Sequence, residues 1–182
     1  MKKCLIIALL LMFGCRNAAV FQEKNMAVAN EFIDIFYSFN AGKLDSALAY
    51  AQASKRSILY YQGWAEGGNY KVVNRHPCMA VNDSLVVCPV TVEDDLLLAL
   101  ESSFQVTDTF YITVREDKIL SVDTGSNDPG IYYEAREWVM QNRQELIEEA
   151  CKGMWEDGIT PGDCVRAMVK GYAAFTASKK SK

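Results

Sequence analysis

Residues 78–88 read Cys78-Met79-Ala80-Val81-Asn82-Asp83-Ser84-Leu85-Val86-Val87-Cys88, two short apolar arms closed by three turn-forming residues. Asn, Asp and Ser side chains bond their own backbone in tight turns, and a three-residue connection sets Cys78 opposite Cys88. The segment predicts an antiparallel hairpin with a cross-strand disulfide, and so a register for the sheet around it. Extended stretches rich in Val, Ile, Thr, Tyr and Phe flank it: Tyr70–Val81, Leu85–Glu93, Phe104–Val114 and Ile119–Thr124. Between the second and third, Asp94–Leu100 reads as a short helical or bulged crossing, with Asp94-Asp95 placed to cap it rather than to bind a cation.

On either side the period becomes helical. Val28, Phe32, Ile35, Phe36 and Phe39 share one face of a helix over Asn25–Phe39, and Asn40-Ala41-Gly42 supplies its stop. A second helix is expected over Leu44–Ala53 with Leu44, Leu48 and Ala51 inward, and a third from Ser54 toward Trp64, ending before Gly67-Gly68. Past the strands, Asp128 as cap and Pro129 in the first turn open a long helix with the stripe Ile131, Ala135, Trp138, Val139, Leu146, Ile147 and Ala150. Thr160-Pro161-Gly162-Asp163 reads as a capping box for a last helix through Val165, Met168, Val169, Tyr172 and Phe175. Cys151 and Cys164 fall on these two consecutive helices, joined by a short connection holding Gly158, Thr160 and Pro161, and predict a second disulfide. Helices, a meandering sheet, then more helices make an α+β fold, with helices covering one face of a curved antiparallel sheet.

The first fifteen residues give an address. Lys2 and Lys3, the apolar run Leu5–Phe13, then Gly14 and Cys15 form a secretion signal too short to span a bilayer. Met12-Phe13-Gly14-Cys15 resembles the lipobox of bacterial lipoproteins, with Met12 and Phe13 where that family prefers Leu and a small residue. The resemblance implies cleavage after residue 14 and palmitate-type acylation at Cys15, leaving residues 15–24 as a tether. It implies a bacterial cell-envelope protein held by lipid, in the outer membrane and facing the periplasm. With Cys4 in the signal and Cys15 acylated, four of six cysteines remain, an even number suited to disulfides in an oxidising compartment. Zinc is the competing reading, but the close Cys-x-x-Cys pairs of such sites are missing, and no metal is expected. Loss of Lys2 and Lys3 leaves 17 basic against 23 acidic residues, a net charge of about minus six that repels nucleic acid. Lys179-Lys180-Ser181-Lys182 is expected to be a disordered basic tail over 179–182.

Residues 32–47, an aromatic helix followed by Asn40-Ala41-Gly42-Lys43-Leu44-Asp45, resemble the opening of nuclear transport factor 2-like, or SnoaL-like, domains. The hairpin Thr109-Phe110-Tyr111-Ile112-Thr113-Val114-Arg115-Glu116-Asp117-Lys118-Ile119 is similar as well, with Asp117-Lys118 where those relatives commonly carry Asp-Gly. The resemblance covers 25–126 and implies a curved sheet closed by helices into an apolar cone, with 127–178 as a helical extension packed on the same domain. That superfamily hosts enzymes, binders and structural modules, so the fold does not transmit a function.

Alternation picks out polar residues on faces otherwise given to Val and Phe. Counted from Cys78 opposite Cys88, one face carries Asn74, His76, Cys78 and Ala80 beside Val86, Val90 and Val92. Phe104, Val106, Asp108, Phe110, Ile112 and Val114 point one way, and across a two-residue turn the matching face of the last strand carries Ile119, Ser121 and Asp123. An unsatisfied polar group there costs about 1–3 kcal/mol, so each is either paired or useful. His76 and Asp123 are the sharpest candidates for a proton-shuttling pair, with Asn74, Asp108 and Ser121 around them. Satisfied core or strand-end residues are the blander alternative. Tyr60, Tyr61, Trp64 and Phe110 are expected to line the cone, or to be plain core.

The single histidine and the lack of Gly-x-Ser-x-Gly, His-Glu-x-x-His or a phosphate-binding loop disfavour hydrolase, zinc protease and nucleotide enzyme. Two readings stand. One is a non-catalytic envelope lipoprotein whose domain binds an apolar small molecule or a partner protein, a second copy of itself included. The other is a cofactor-free isomerase, cyclase or dehydratase working through His76 and Asp123, as the SnoaL-like resemblance implies. An open cone lined by both side chains favours the enzyme, and a cone filled by apolar side chains favours the binder.

Overall fold

The computed structural model describes residues 22–152 and 162–181. Cys15, most of the tether, Gly158, Thr160, Pro161 and Lys182 lie outside them. Helix α1 spans 22–37, α2 Ala41–Ala47 and α3 Gln52–Gly67. Asn40, expected to stop the first helix, starts the second instead: its side-chain oxygen accepts from the Lys43 amide at 3.0 Å, as a good N-cap does. The expected helix over Leu44–Ala53 is divided, because the chain turns at Leu48–Ala51, where the Ala51 amide bonds the Leu48 carbonyl. Leu44, Leu48 and Ala51 are nevertheless fully buried, as their spacing requires. Ser54 lies inside α3 rather than at its start, and its Oγ accepts from the Val122 amide at 3.0 Å, pinning the helix to the sheet.

The sheet holds five antiparallel strands: β1 Lys71–Arg75, β2 Met79–Ala80, β3 Leu85–Glu93, β4 Val106–Arg115 and β5 Lys118–Ser126. Their order is β1-β3-β4-β5, with β2 also paired to β3. The expected strand Tyr70–Val81 is interrupted at 76–78, where Pro77 has no amide to give. Phe104 precedes β4 and is exposed rather than inward. Met79 faces Val87 and Ala80 faces Val86, so Cys78 meets Cys88 as the turn dictates, and the two are bonded with Cα atoms 4.3 Å apart. Glu116 and Asp117, at φ 52° and 58°, form the two-residue turn between β4 and β5 and leave Arg115 facing Lys118.

Register slips in the first expected strand and on β5 decide what faces inward. Val72 pairs with Val92, but Asn74 pairs with Thr91 and Arg75 with Val90. On β5, Val114 faces Ile119 while Thr113 faces Ser121. A slip of one residue turns every later side chain to the opposite face.

Helix α4, Asp95–Ala99, crosses between β3 and β4, capped by Asp94, whose Oδ1 accepts from the Leu97 amide at 2.8 Å. After the sheet come α5 Gly130–Asn142, α6 Gln144–Ile147 and α7 Gly162–Lys180. The long helix expected from Asp128 breaks at Arg143, whose φ of −138° leaves helical space. Asp128 accepts from the Tyr133 hydroxyl instead of capping, and Pro129 holds the cap position. Within the stripe, Tyr132 turns inward and Ile131 outward. Cys151 and Cys164 are bonded, with Cα atoms 4.5 Å apart. Lys179 and Lys180 do not fray: both are helical, and they pair with Glu134 and Glu101 at 2.5 Å. Helix α7 packs on α3, α4, α5 and α6, and a Cβ at Gly171 would stand 2.6 Å from both Val139 methyls, so α5 and α7 touch backbone to side chain there. The Trp64 Nε1–H donates to the Tyr132 hydroxyl at 2.8 Å, and the Tyr172 hydroxyl to the Tyr132 carbonyl at 3.0 Å, stitching this helical layer to α3.

Candidate functional site

Helices α1 and α3 lie over the inner face of β4, and aromatic rings fill the space between. Phe110 is met by Phe36 at 4.9 Å between centroids, Phe32 at 6.1 Å, Tyr37 at 6.1 Å and Tyr61 at 6.3 Å. Such tilted and edge-on pairs pack like the interior of an organic crystal.

Asp108 stands in this filled region, two residues before Phe110 and facing Val90 on one side and Ser126 on the other. It is 0% exposed. Alternation placed it inward, and the structure keeps it there. The Tyr37 hydroxyl donates to its Oδ2 at 2.8 Å, while Oδ1 has no hydrogen-bond partner. Burial pushes the carboxyl up to about 6 despite the opposing pull of the Tyr61 and Tyr37 phenols, and the charges of Asp128 and Asp94 push the same way. Burial likewise raises Tyr37 and Tyr61, with Asp108 beside them as the next cause. Asp94 is also driven up to about 6 by burial, against the Leu97 and Leu96 amides, and its Oδ2 lacks a partner. Tyr70 is raised by burial and then by the charges of Asp94 and Asp108. Asp108 with its tyrosines is an internal polar hub, able to hold a proton near neutrality but packed against Phe and Tyr rings.

The sequence reading missed Tyr37 and Tyr70 in this hub. Tyr37 follows Phe36 and falls about 100° around the helix from the apolar stripe, so only the long reach of its hydroxyl brings it to Asp108. Tyr70 directly precedes β1 and read simply as strand.

His76 and Asp123 are not brought together. His76 donates its amide to the Pro89 carbonyl, and its Nε2 lies 3.0 Å from the Thr91 hydroxyl and 3.4 Å from Asn74 Nδ2, all on the outer face. Asp123 faces Tyr111 on β5, also outward. Three strand spacings, about 14 Å, separate them. Asn74 is exposed beside Thr91, and Ser121, opposite Thr113, looks outward too. The slips are the cause: counting without them sends all four to the wrong face. Tyr61 and Phe110 belong to the filled interior, whereas Trp64 faces away toward α5 and bonds Tyr132, and Tyr60 is half-buried against the core.

A different concavity is open. A groove of about 810 Å³ runs between α1, α2 and the β4–β5 turn. Val28, Phe32, Ile35, Ala47 and Ile119 give it an apolar floor, and Glu31, Lys43, Asp117 and Lys118 a charged rim. Tyr50, 61% exposed, stands at its mouth with the Lys118 ammonium 4.6 Å above its ring. Among the described residues no group of three or more His, Cys, Asp or Glu is placed to hold a metal, and no helix is long and apolar enough to cross a membrane. Comparison with protein-family models, with curated proteins and with solved structures finds no match.

Proposed function

We propose that this chain is an exported envelope lipoprotein, anchored through Cys15, whose cone-like domain of the nuclear transport factor 2 kind is a non-catalytic carrier for an apolar small molecule with a polar head. The observation that carries this reading is the groove. Its volume falls among small-molecule sites of roughly 300–1,000 Å³, and an apolar floor under a charged rim matches an amphiphile better than a wholly apolar ligand. The filled interior supports it from the other side, since aromatic rings pack against Asp108 and its tyrosines. Two disulfides fit an oxidising compartment.

Titration with the amphiphilic fluorophore 1-anilinonaphthalene-8-sulfonate tests the groove. Ser46 lines it from the exposed side of α2, so Ser46→Trp fills the space without touching the core. Saturable binding by the parent chain, lost in Ser46→Trp at unchanged thermal midpoint, is expected. Equal binding by both sinks the groove as the site. The anchor is tested separately: Cys15→Ser is expected to move the protein from membranes into the soluble fraction.

A further inference from the structure

We infer that the groove selects a single-chain zwitterionic lipid, its ammonium set against Glu31 and Asp117 and its phosphate against Lys43 and Lys118. This names the ligand class of the carrier proposed above and rests on that reading.

Three elements place four charges around one space. Val28, Glu31, Phe32 and Ile35 recur at i, i+3, i+4 and i+7, so α1 turns a single face to the groove. Lys43 and Ala47 stand one turn apart on α2, and the β4–β5 turn brings Asp117 and Lys118 to the margin. Helix α1 thus supplies a carboxylate, α2 an ammonium and the turn one of each. All four residues are exposed.

These opposite charges do not pair. Other charged groups of the same two helices do: Asp34 of α1 with Arg75, and Asp45 of α2 with Lys55 at 2.6 Å. Glu31, Lys43 and Asp117 make no side-chain hydrogen bond or ion pair with any described residue, and Lys118 has only the face of the Tyr50 ring. An ammonium carries three donors and a carboxylate only acceptors, so the rim offers bonding capacity of both signs. A head of one sign uses half of it and meets the other half as like charge. An anion gains Lys43 and Lys118 but faces Glu31, Asp117 and the field of a chain of net charge −4. A cation gains the carboxylates and faces the lysines. A zwitterion finds an opposite charge for each end and brings no net charge into that field.

The floor sets the tail. It is one row of α1 side chains, Val28, Phe32 and Ile35, with Ala47 and Ile119 beside it. The row runs about 10 Å along the helix. One row seats one alkyl chain, of medium length.

Isothermal titration calorimetry of the purified chain with lauroyl lysophosphatidylethanolamine and lauroyl lysophosphatidylglycerol, each below micelle formation, reads the head directly. The two share tail and phosphate, and only the first has an ammonium. The zwitterion is expected to bind about tenfold more tightly, a modest factor because exposed pairs are individually weak. In the double variant Glu31→Gln, Asp117→Asn the two lipids are expected to bind within about twofold of each other. Its thermal midpoint is expected to hold, since both side chains are exposed and Asn accepts the φ of 58° at position 117. Each single substitution is expected to narrow the preference to about threefold, and carries the comparison if the double variant melts lower. Equal or tighter binding of the anionic lipid by the parent overturns the inference and leaves the groove as a site, as does a preference that survives the double substitution. Binding of neither lipid, or binding unchanged in Ser46→Trp, overturns the carrier reading and the inference with it.

Discussion

Replacing Asp108 by Asn isolates the charge at the centre of the polar hub. A carboxyl held at about 6 in the fold, against 3.8 when free, binds its proton more tightly folded than unfolded. The stability this brings is fully present below the unfolded value and is lost as pH rises from about 4 through 6. The gap of about two pH units, at about 1.36 kcal/mol each, is about 3 kcal/mol. The substituted amide never ionises and escapes that loss. Its carbonyl keeps the bond from Tyr37, but its NH2 occupies the place of an oxygen that has no partner, a penalty of about 1 kcal/mol at every pH. Asp108→Asn is therefore expected to be less stable than the parent by about 1 kcal/mol near pH 3 and more stable by about 2 kcal/mol at pH 7.5. Urea unfolding followed by tryptophan fluorescence at both pH values measures the crossing. Asp94 titrates in both proteins, so the larger part of its contribution falls out of the difference. A difference between variant and parent that is the same at both pH values would refute the reasoning, because Asp108 would then not be ionising within the folded interior.

Non-reducing peptide mapping is expected to recover Cys78 linked to Cys88 and Cys151 linked to Cys164, and reduction with alkylation to cost about 2–3 kcal/mol per bridge; a Cys88–Cys151 peptide contradicts the strand and helix placement. Gly171→Ala drives a methyl into the two Val139 methyls and is expected to destabilise by about 1–3 kcal/mol in thermal melts, whereas Gly130→Ala, with open space around it, is neutral or better.

Alternation and turn chemistry made most of the sheet legible: the Asn82-Asp83-Ser84 loop set Cys78 opposite Cys88, and of the expected inward rank Val106, Asp108, Phe110, Ile112 and Val114 stand, while Phe104 at its start does not. What alternation cannot carry is a slip. In the first strand there are two. The paired numbers sum to 164 at Val72 and Val92, to 165 at Arg75 and Val90, and to 166 at Met79 and Val87. The slips cancel, so both ends of the segment read correctly while Asn74 and His76 between them are reversed. Neither slip is written in residue type except through Pro77, which cannot donate to the ladder. On β5 the register steps past Leu120, 38% exposed, and Ser121 and Asp123 go outward with the step. Helix boundaries failed for a different reason. Asn40 suits the end of one helix as well as the start of the next, and which it serves depends on the burial of Leu44 and Leu48 behind it.

Both disulfides join a cysteine to the next one along the chain, across 10 and 13 positions. Were such a chain oxidised in order from its N-terminus, each cysteine of the domain from Cys78 on would meet its native partner before a later one of the domain was available. Such a protein needs an oxidant during biogenesis but no reshuffling enzyme, and its maturation is expected to be insensitive to loss of disulfide isomerisation.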